Sequence, residues 1–209
     1  MRYGKGHKEE TRRRLVEAAI RLFREKGLNG VGVATLMKEL GLTHGGFYAH
    51  FKSRDDLVMT ACQYGLEETG RRMLEVAENV PPDKRLETVI NRYLSAEHRD
   101  DAGLGCVMAA LGSELARTDV GFRRSLTQRL AGYAGKIARY FTKGDEREKF
   151  DKAVVLLGGM LGCVLISRVL EDKAKSDHVL EVARNFYIKA FQEAEGAEKG
   201  KGAGGSRAE

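Results

Sequence analysis

VATLMKELGLTHGGFYAHF, running from Val33 to Phe51, is the stretch whose reading decides the fold. Val33, Leu36, Met37 and Leu40 recur at helical spacing and make one apolar stripe, which predicts a short helix over Val33 to Leu40. Gly41 ends it, Gly41-Leu42-Thr43 forms a three-residue turn, and Thr43 stands where an N-cap belongs. Phe47 and Phe51 then follow one turn apart on a second short segment. Upstream, Lys8 to Lys26 carries Leu15, Ala18, Ala19, Leu22 and Phe23 on one face, and Gly27 stops it. A supporting helix, a short helix, a glycine-containing turn and another short helix make a helix-turn-helix. In that arrangement Leu36, Leu40, Leu42, Phe47 and Phe51 fix the angle of the two short helices. His44, Gly45, Gly46, Tyr48 and His50 are left outside.

Two glycines at a helix start cost about 1 kcal/mol each relative to Ala, so Gly45 and Gly46 need a reason. Close approach to another surface supplies one: a helix start without side chains enters a major groove closely, with backbone N–H groups facing phosphates. Tyr48, His50 and Lys52 are spaced to reach a phosphate backbone, as is a basic arm from Arg2 to Arg14. The charge supports this. Residues 1 to 60 hold 12 basic and 7 acidic side chains, which accounts for +5 of the net +6. A polyanion-binding head on a nearly neutral remainder has this distribution.

Outward from the motif, the chain reads as all-α: a three-helix head followed by a six-helix body. Its only prolines are the adjacent Pro81 and Pro82, and no stretch sustains an alternation of period two. Ser53, followed by Asp55 and Asp56, caps a long helix that ends before Pro81. Further helices are expected over Asp83 to His98, Cys106 to Arg117, Asp119 to Phe141, Asp145 to Glu171 and Ser176 to Ala194. The domain boundaries that follow are a DNA-binding head at 1–52, a helical part at 53–194, to which the family resemblance given below assigns ligand binding and dimerisation, and a disordered Gly-, Lys- and Glu-rich tail at 195–209.

Several classes fall away. Cys62, Cys106 and Cys163 are odd in number and widely spaced, which argues against a disulfide framework, and no residues stand at metal-ligand spacing, so neither a metal nor a cofactor is expected. No secretory leader is visible, and the longest apolar run, Ala153 to Ile166, falls short of the about 20 residues a membrane span needs. A cytoplasmic location is the expectation. His98 lies near Glu97, Asp100 and Asp101, but no nucleophile or phosphate loop accompanies them, so an enzyme is not expected. A non-specific architectural DNA-binding protein is the other rival, and equal affinity for all duplexes would mark it.

The residues Gly41 to Leu57, GLTHGGFYAHFKSRDDL, together with Leu15 to Gly27, resemble the signature of the TetR (tetracycline repressor-like) family. The resemblance covers most of residues 11 to 57. It implies a homodimer made by the last two helices, a ligand-responsive body and, most commonly, repression. Position by position, it places His44, Gly45 and Gly46 near base edges, sets Tyr48, His50 and Lys52 on phosphates, brings Thr35 near the backbone and counts Thr43 among the DNA-binding residues. Gly32 departs from the pattern, where Thr or Ser commonly caps the second helix.

Gly158, Gly159 and Gly162 lie on neighbouring turns of an apolar helix and allow a second helix close by. The resemblance assigns them, with Phe186 and Tyr187, to the dimer contact; packing within one subunit is the alternative. Tyr93, Met108, Leu111, Phe122, Tyr133 and Met160 are candidates to line a pocket for an apolar or aromatic effector. Cys106, at an expected helix N-terminus, is a candidate sensor of oxidants or electrophiles. Unchanged release by an electrophile in Cys106→Ser would dismiss that role. Double-stranded operator DNA of near-palindromic sequence is the expected partner.

Overall fold

The computed structural model describes residues 5–196, and its regular elements are helical throughout. They are α1 (Lys5–Lys26), α2 (Val33–Glu39), a 3₁₀ segment (His44–Ala49), α3 (Arg54–Glu78), a 3₁₀ turn (Pro82–Lys84), α4 (Arg85–Tyr93), α5 (Ala96–Asp100), α6 (Val107–Leu115), α7 (Val120–Ala138), α8 (Glu146–Val169) and α9 (Lys173–Gly196). Arg2 of the basic arm and residues 197–209 of the expected tail lie outside the described residues, while 195 and 196 still belong to α9.

The chain packs as two compact units. One comprises Met1–Leu74 and Glu97–Ala131, the other Glu75–Ala96 and Gly132–Glu209. In the first, Lys52 is not a limit of packing. Leu15, Leu36, Phe47 and Phe51 share one core with Leu57 and Cys62 of α3, Val107 and Leu111 of α6, and Phe122 of α7. α3, α6 and α7 thus share the core of the helix-turn-helix.

Polar clamps set the geometry of this unit. Arg24 of α1, only 6% exposed, donates to the Gly103 carbonyl (2.9 Å), the Gly65 carbonyl (3.1 Å) and Thr69 Oγ1 (3.0 Å). Glu114 of α6 accepts the Leu28 N–H at 3.0 Å, beside Gly27 in its left-handed conformation. Arg54 donates to the carbonyls of Leu28 and Val31 and so pins the α1–α2 turn. The Gly103, Leu28 and Val31 carbonyls, which lie outside the helices, thereby gain side-chain donors.

In the second unit, the helix expected over Asp83 to His98 breaks at Leu94–Ser95. The carbonyls freed there have other donors: Arg184 Nη1 reaches the Leu94 carbonyl at 2.6 Å and Ser95 Oγ the Arg92 carbonyl at 3.0 Å. α8 begins with a capping box, Asp145 accepting from the Glu148 N–H and Glu148 from the Asp145 N–H. α9 begins at Lys173, three residues before the expected Ser176, because Asp172 accepts the Ala174 and Lys175 N–H groups. Ser176 is buried instead and donates to the Ser167 carbonyl of α8 at 2.6 Å.

α8 is 24 residues long, and by length and composition it could cross a membrane, although the apolar run within it is shorter. Here it packs along α9, burying Ala153, Leu156, Met160 and Val164. Gly159 serves that packing: a Cβ there would overlap the Tyr187 hydroxyl, whereas Cβ atoms at Gly158 and Gly162 would meet open space. The alternative reading therefore holds for Gly159 and Tyr187, which meet inside one subunit. Gly159→Ala is expected to displace Tyr187 and to lower stability by about 1–3 kcal/mol, read from denaturant unfolding at fixed protein concentration.

Candidate nucleic-acid interface

The second helix of the motif is tighter than the α-helix expected. Gly46 N–H donates to the Thr43 carbonyl and His50 N–H to the Phe47 carbonyl, both i to i−3, and only Phe51 N–H returns to the α pattern on Phe47. Two glycines and a length of six residues leave little helical preference to resist this. Thr43 holds the N-cap position in extended conformation, but its side chain makes no capping bond. Likewise Gly32 precedes α2 with no side-chain cap, and its carbonyl accepts the Leu36 N–H at 3.2 Å.

Phe47 and Phe51 are buried and stacked with ring centroids 5.6 Å apart, which fixes the segment against the core. On the other side Thr43, His44, Gly45, Tyr48 and Lys52 are exposed, Tyr48 at 63%, and Gly46 and His50 are half-buried. Thr35 of α2 is exposed as well. Tyr48 is held edge-on to the buried Phe47 at 5.3 Å and to His44 at 6.1 Å, so the exposed rings of Tyr48 and His44 form one ridge over Phe47. The Lys52 backbone is held at its N–H by Asp56, and Asp56 N–H is capped by Ser53 Oγ.

The glycines are informative through what surrounds them. Neither Gly45 nor Gly46 has a positive φ, a Cβ on Gly45 would meet nothing within 4 Å, and one on Gly46 would make ordinary contact with Thr43 and Met37. Nothing inside the chain requires glycine there. A partner surface closing on the segment would.

Alongside runs the N-terminal end of α1. Arg12 lies over the Phe51 ring at 4.7 Å, and Lys8, Arg12 and His7 act on His50. Arg13, by contrast, is engaged by Glu10 at 2.8 Å and Glu17 at 3.2 Å, so the arm does not contribute uniformly. Burial and the three cationic neighbours hold the His50 imidazole below the usual histidine range. Sequence reasoning overlooked Arg54, whose role lies in two carbonyls more than twenty residues away, and no local signal announced it.

The remaining candidates are dispersed. Met108, Leu111 and Phe122 belong to the first unit, where Leu111 and Phe122 are buried core; Tyr93, Tyr133 and Met160 belong to the second, where Tyr93 and Met160 are buried. A cleft of about 480 Å³ on the first unit is lined by α1, α2, α3 and Gly103–Leu104, and includes none of the six. Cys106 is half-buried just before α6, with no side-chain capping bond. Cys62 is buried and its thiol is pushed up to about 12. Asp100 pairs with Arg99 at 2.6 Å and Asp101 caps the Leu104 N–H, so the acids near His98 have structural uses.

A helix-turn-helix with an exposed aromatic and basic ridge, joined to a helical C-terminal part, defines a class of bacterial regulator. Residues 15–60 match bacterial regulatory proteins of the tetR family, and residues 82–183 match the tetracyclin repressor-like C-terminal domain. The chain belongs to the TetR family. It is similar to the HTH-type transcriptional regulator YerO of Bacillus subtilis, with 30% identity over 94 residues, which is 44% of this chain and 31% of YerO. The chain thus spans about a third of that relative's length. Among solved structures, a TetR-family regulator from Cytophaga hutchinsonii superposes with TM-score 0.74 at 19% identity, covering 88% of this chain and 96% of that one. FadR from Bacillus subtilis, in complex with stearoyl-CoA, gives TM-score 0.61 at 20% identity over 82% of this chain and 96% of FadR.

Proposed function

We propose that the protein is a transcriptional repressor that binds a near-palindromic double-stranded operator as a homodimer and is released by a small apolar or aromatic effector. The observation that carries this is the exposed Thr43–Lys52 ridge, with glycines that only an outside surface explains and the cationic end of α1 beside it. Tyr48, His50 and Lys52 hold phosphates, His44 and the glycine backbone approach the bases, and Thr35 touches the flanking backbone.

The second unit supports the dimer. Val155, Gly158, Gly162, Ile166 and Val169 fall on one face of α8, and Val182 and Phe186 lie one turn apart on α9. Val169 is 79% exposed and Phe186 65%. So much contiguous apolar surface calls for a partner, and a second copy of the same helix pair buries it symmetrically. Gly159 and Tyr187 act behind that face by holding α9 on α8. An effector with an apolar portion accords with the stearoyl-CoA complex of FadR.

Selection of bound sequences from random duplexes tests the reading. A near-palindromic winner is expected, with half-sites about one helical turn apart or a multiple of it, and with binding that weakens steeply as salt rises. No enrichment of any sequence would overturn it.

A further inference from the structure

His50 carries chemistry that a simple phosphate contact does not use. It caps the 3₁₀ segment, half-buried, and its Nδ1 is buried without a hydrogen-bond partner. The charged groups facing it come from α1: Lys8, Arg12 and His7, each cationic or able to become so. On its own side of the motif, Lys52 stands two residues on, and the Asp56 carboxylate is occupied by the Lys52 N–H at 3.0 Å. A proton on Nδ1 would place a buried donor with no acceptor inside a positive field. Burial and this field both disfavour the charged ring in the free protein.

We infer that DNA binding is linked to protonation of His50: a backbone phosphodiester docking against His7, Lys8, Arg12 and His50 draws a proton onto the imidazole. This rests on reading the ridge as a DNA interface. The anion offsets the field of the three α1 cations and offers the imidazolium a counter-charge, and both effects favour the charged form. The ring's midpoint accordingly rises on binding. The sign of the linkage follows: the gain in affinity is complete below the midpoint of the free protein and is lost as pH rises through the midpoint of the complex. Each unit between the two midpoints is worth about tenfold per head. The surface thus grips DNA more tightly as pH falls through the range just below neutrality.

Histidine-ring NMR titration of the full-length protein, free and saturated with the winning duplex, tests this; His50 is the resonance absent from His50→Gln. The free midpoint should lie below the ordinary value of about 6.5 and rise by about half a unit or more in the complex. Dissociation constants by fluorescence anisotropy should tighten from pH 8 to pH 5 about threefold more per head in wild type than in His50→Gln. His7 and His44 are common to both proteins. A His50 midpoint that does not rise on binding, or equal pH slopes in the two proteins, overturns the inference and leaves DNA binding standing. Failure to bind any duplex at any pH overturns the DNA reading and the linkage with it. Should His50→Gln not fold, the ring is assigned by elimination with single Gln variants of the other histidines, and the wild-type midpoints decide.

Discussion

Gly45→Glu is expected to fold as wild type does and to lose operator affinity by about 10²-fold or more. A side chain at this position has open space around it, and its backbone needs no positive φ, so the isolated protein has nothing to object to. Glu is also a better helix former than Gly, which removes a reason to expect instability. The cost arises only on the duplex. There a carboxylate would stand between the segment and the groove, holding the backbone off the base edges and facing phosphates of like charge. Thermal unfolding and anisotropy measured on one preparation separate the two quantities. Equal affinity in wild type and variant would show that residues 44–46 do not approach DNA.

Phe47→Ala is expected to fail in the opposite order, with stability lost first and binding lost as its result. Phe47 is fully buried, stacks on Phe51, and belongs to the core that α1, α2, α3, α6 and α7 share. Truncating a buried phenylalanine typically costs about 3–5 kcal/mol, a large part of the 5–15 kcal/mol typical of a whole domain. A fall in melting temperature on the order of 10 °C follows for a chain of this size. Because the core is continuous, the loss reaches beyond the motif. Amide exchange should quicken in α6 as well as in α2.

The two variants divide the motif along a line the sequence already drew. Phe47 and Phe51 were legible as anchors because helical spacing put them on the face of Leu36 and Leu40. Gly45 and Gly46 were legible as an oddity because helices do not begin well on glycine. The family followed from the same stretch. The form of the segment was not legible, since choosing 3₁₀ over α turns on whether Gly46 and His50 bond three or four residues back, and apolar spacing over six residues does not distinguish these.

Other features were hidden because their partners are remote in sequence. Glu114 reaches Leu28, Arg24 reaches Gly103, and Arg184 reaches Leu94, each across most of a hundred residues, so nothing near any of them marks a clamp. The break between α4 and α5 belongs to this group through Arg184, whereas the early start of α9 is a local cap, Asp172 accepting from residues two and three positions on. The approach of Tyr187 to Gly159 within one chain is a further contact between residues remote in sequence.

Sequence-specific DNA binding separates a regulator from a basic protein that coats any duplex. Its most direct test is the ratio of dissociation constants for the selected duplex and a shuffled duplex of equal length and composition, at about 0.15 M salt, where exposed charges are screened within about 8 Å. A preference of about 10³-fold or more for the selected duplex is the predicted result. A ratio near one would contradict it, and would leave a basic surface that holds DNA without reading it.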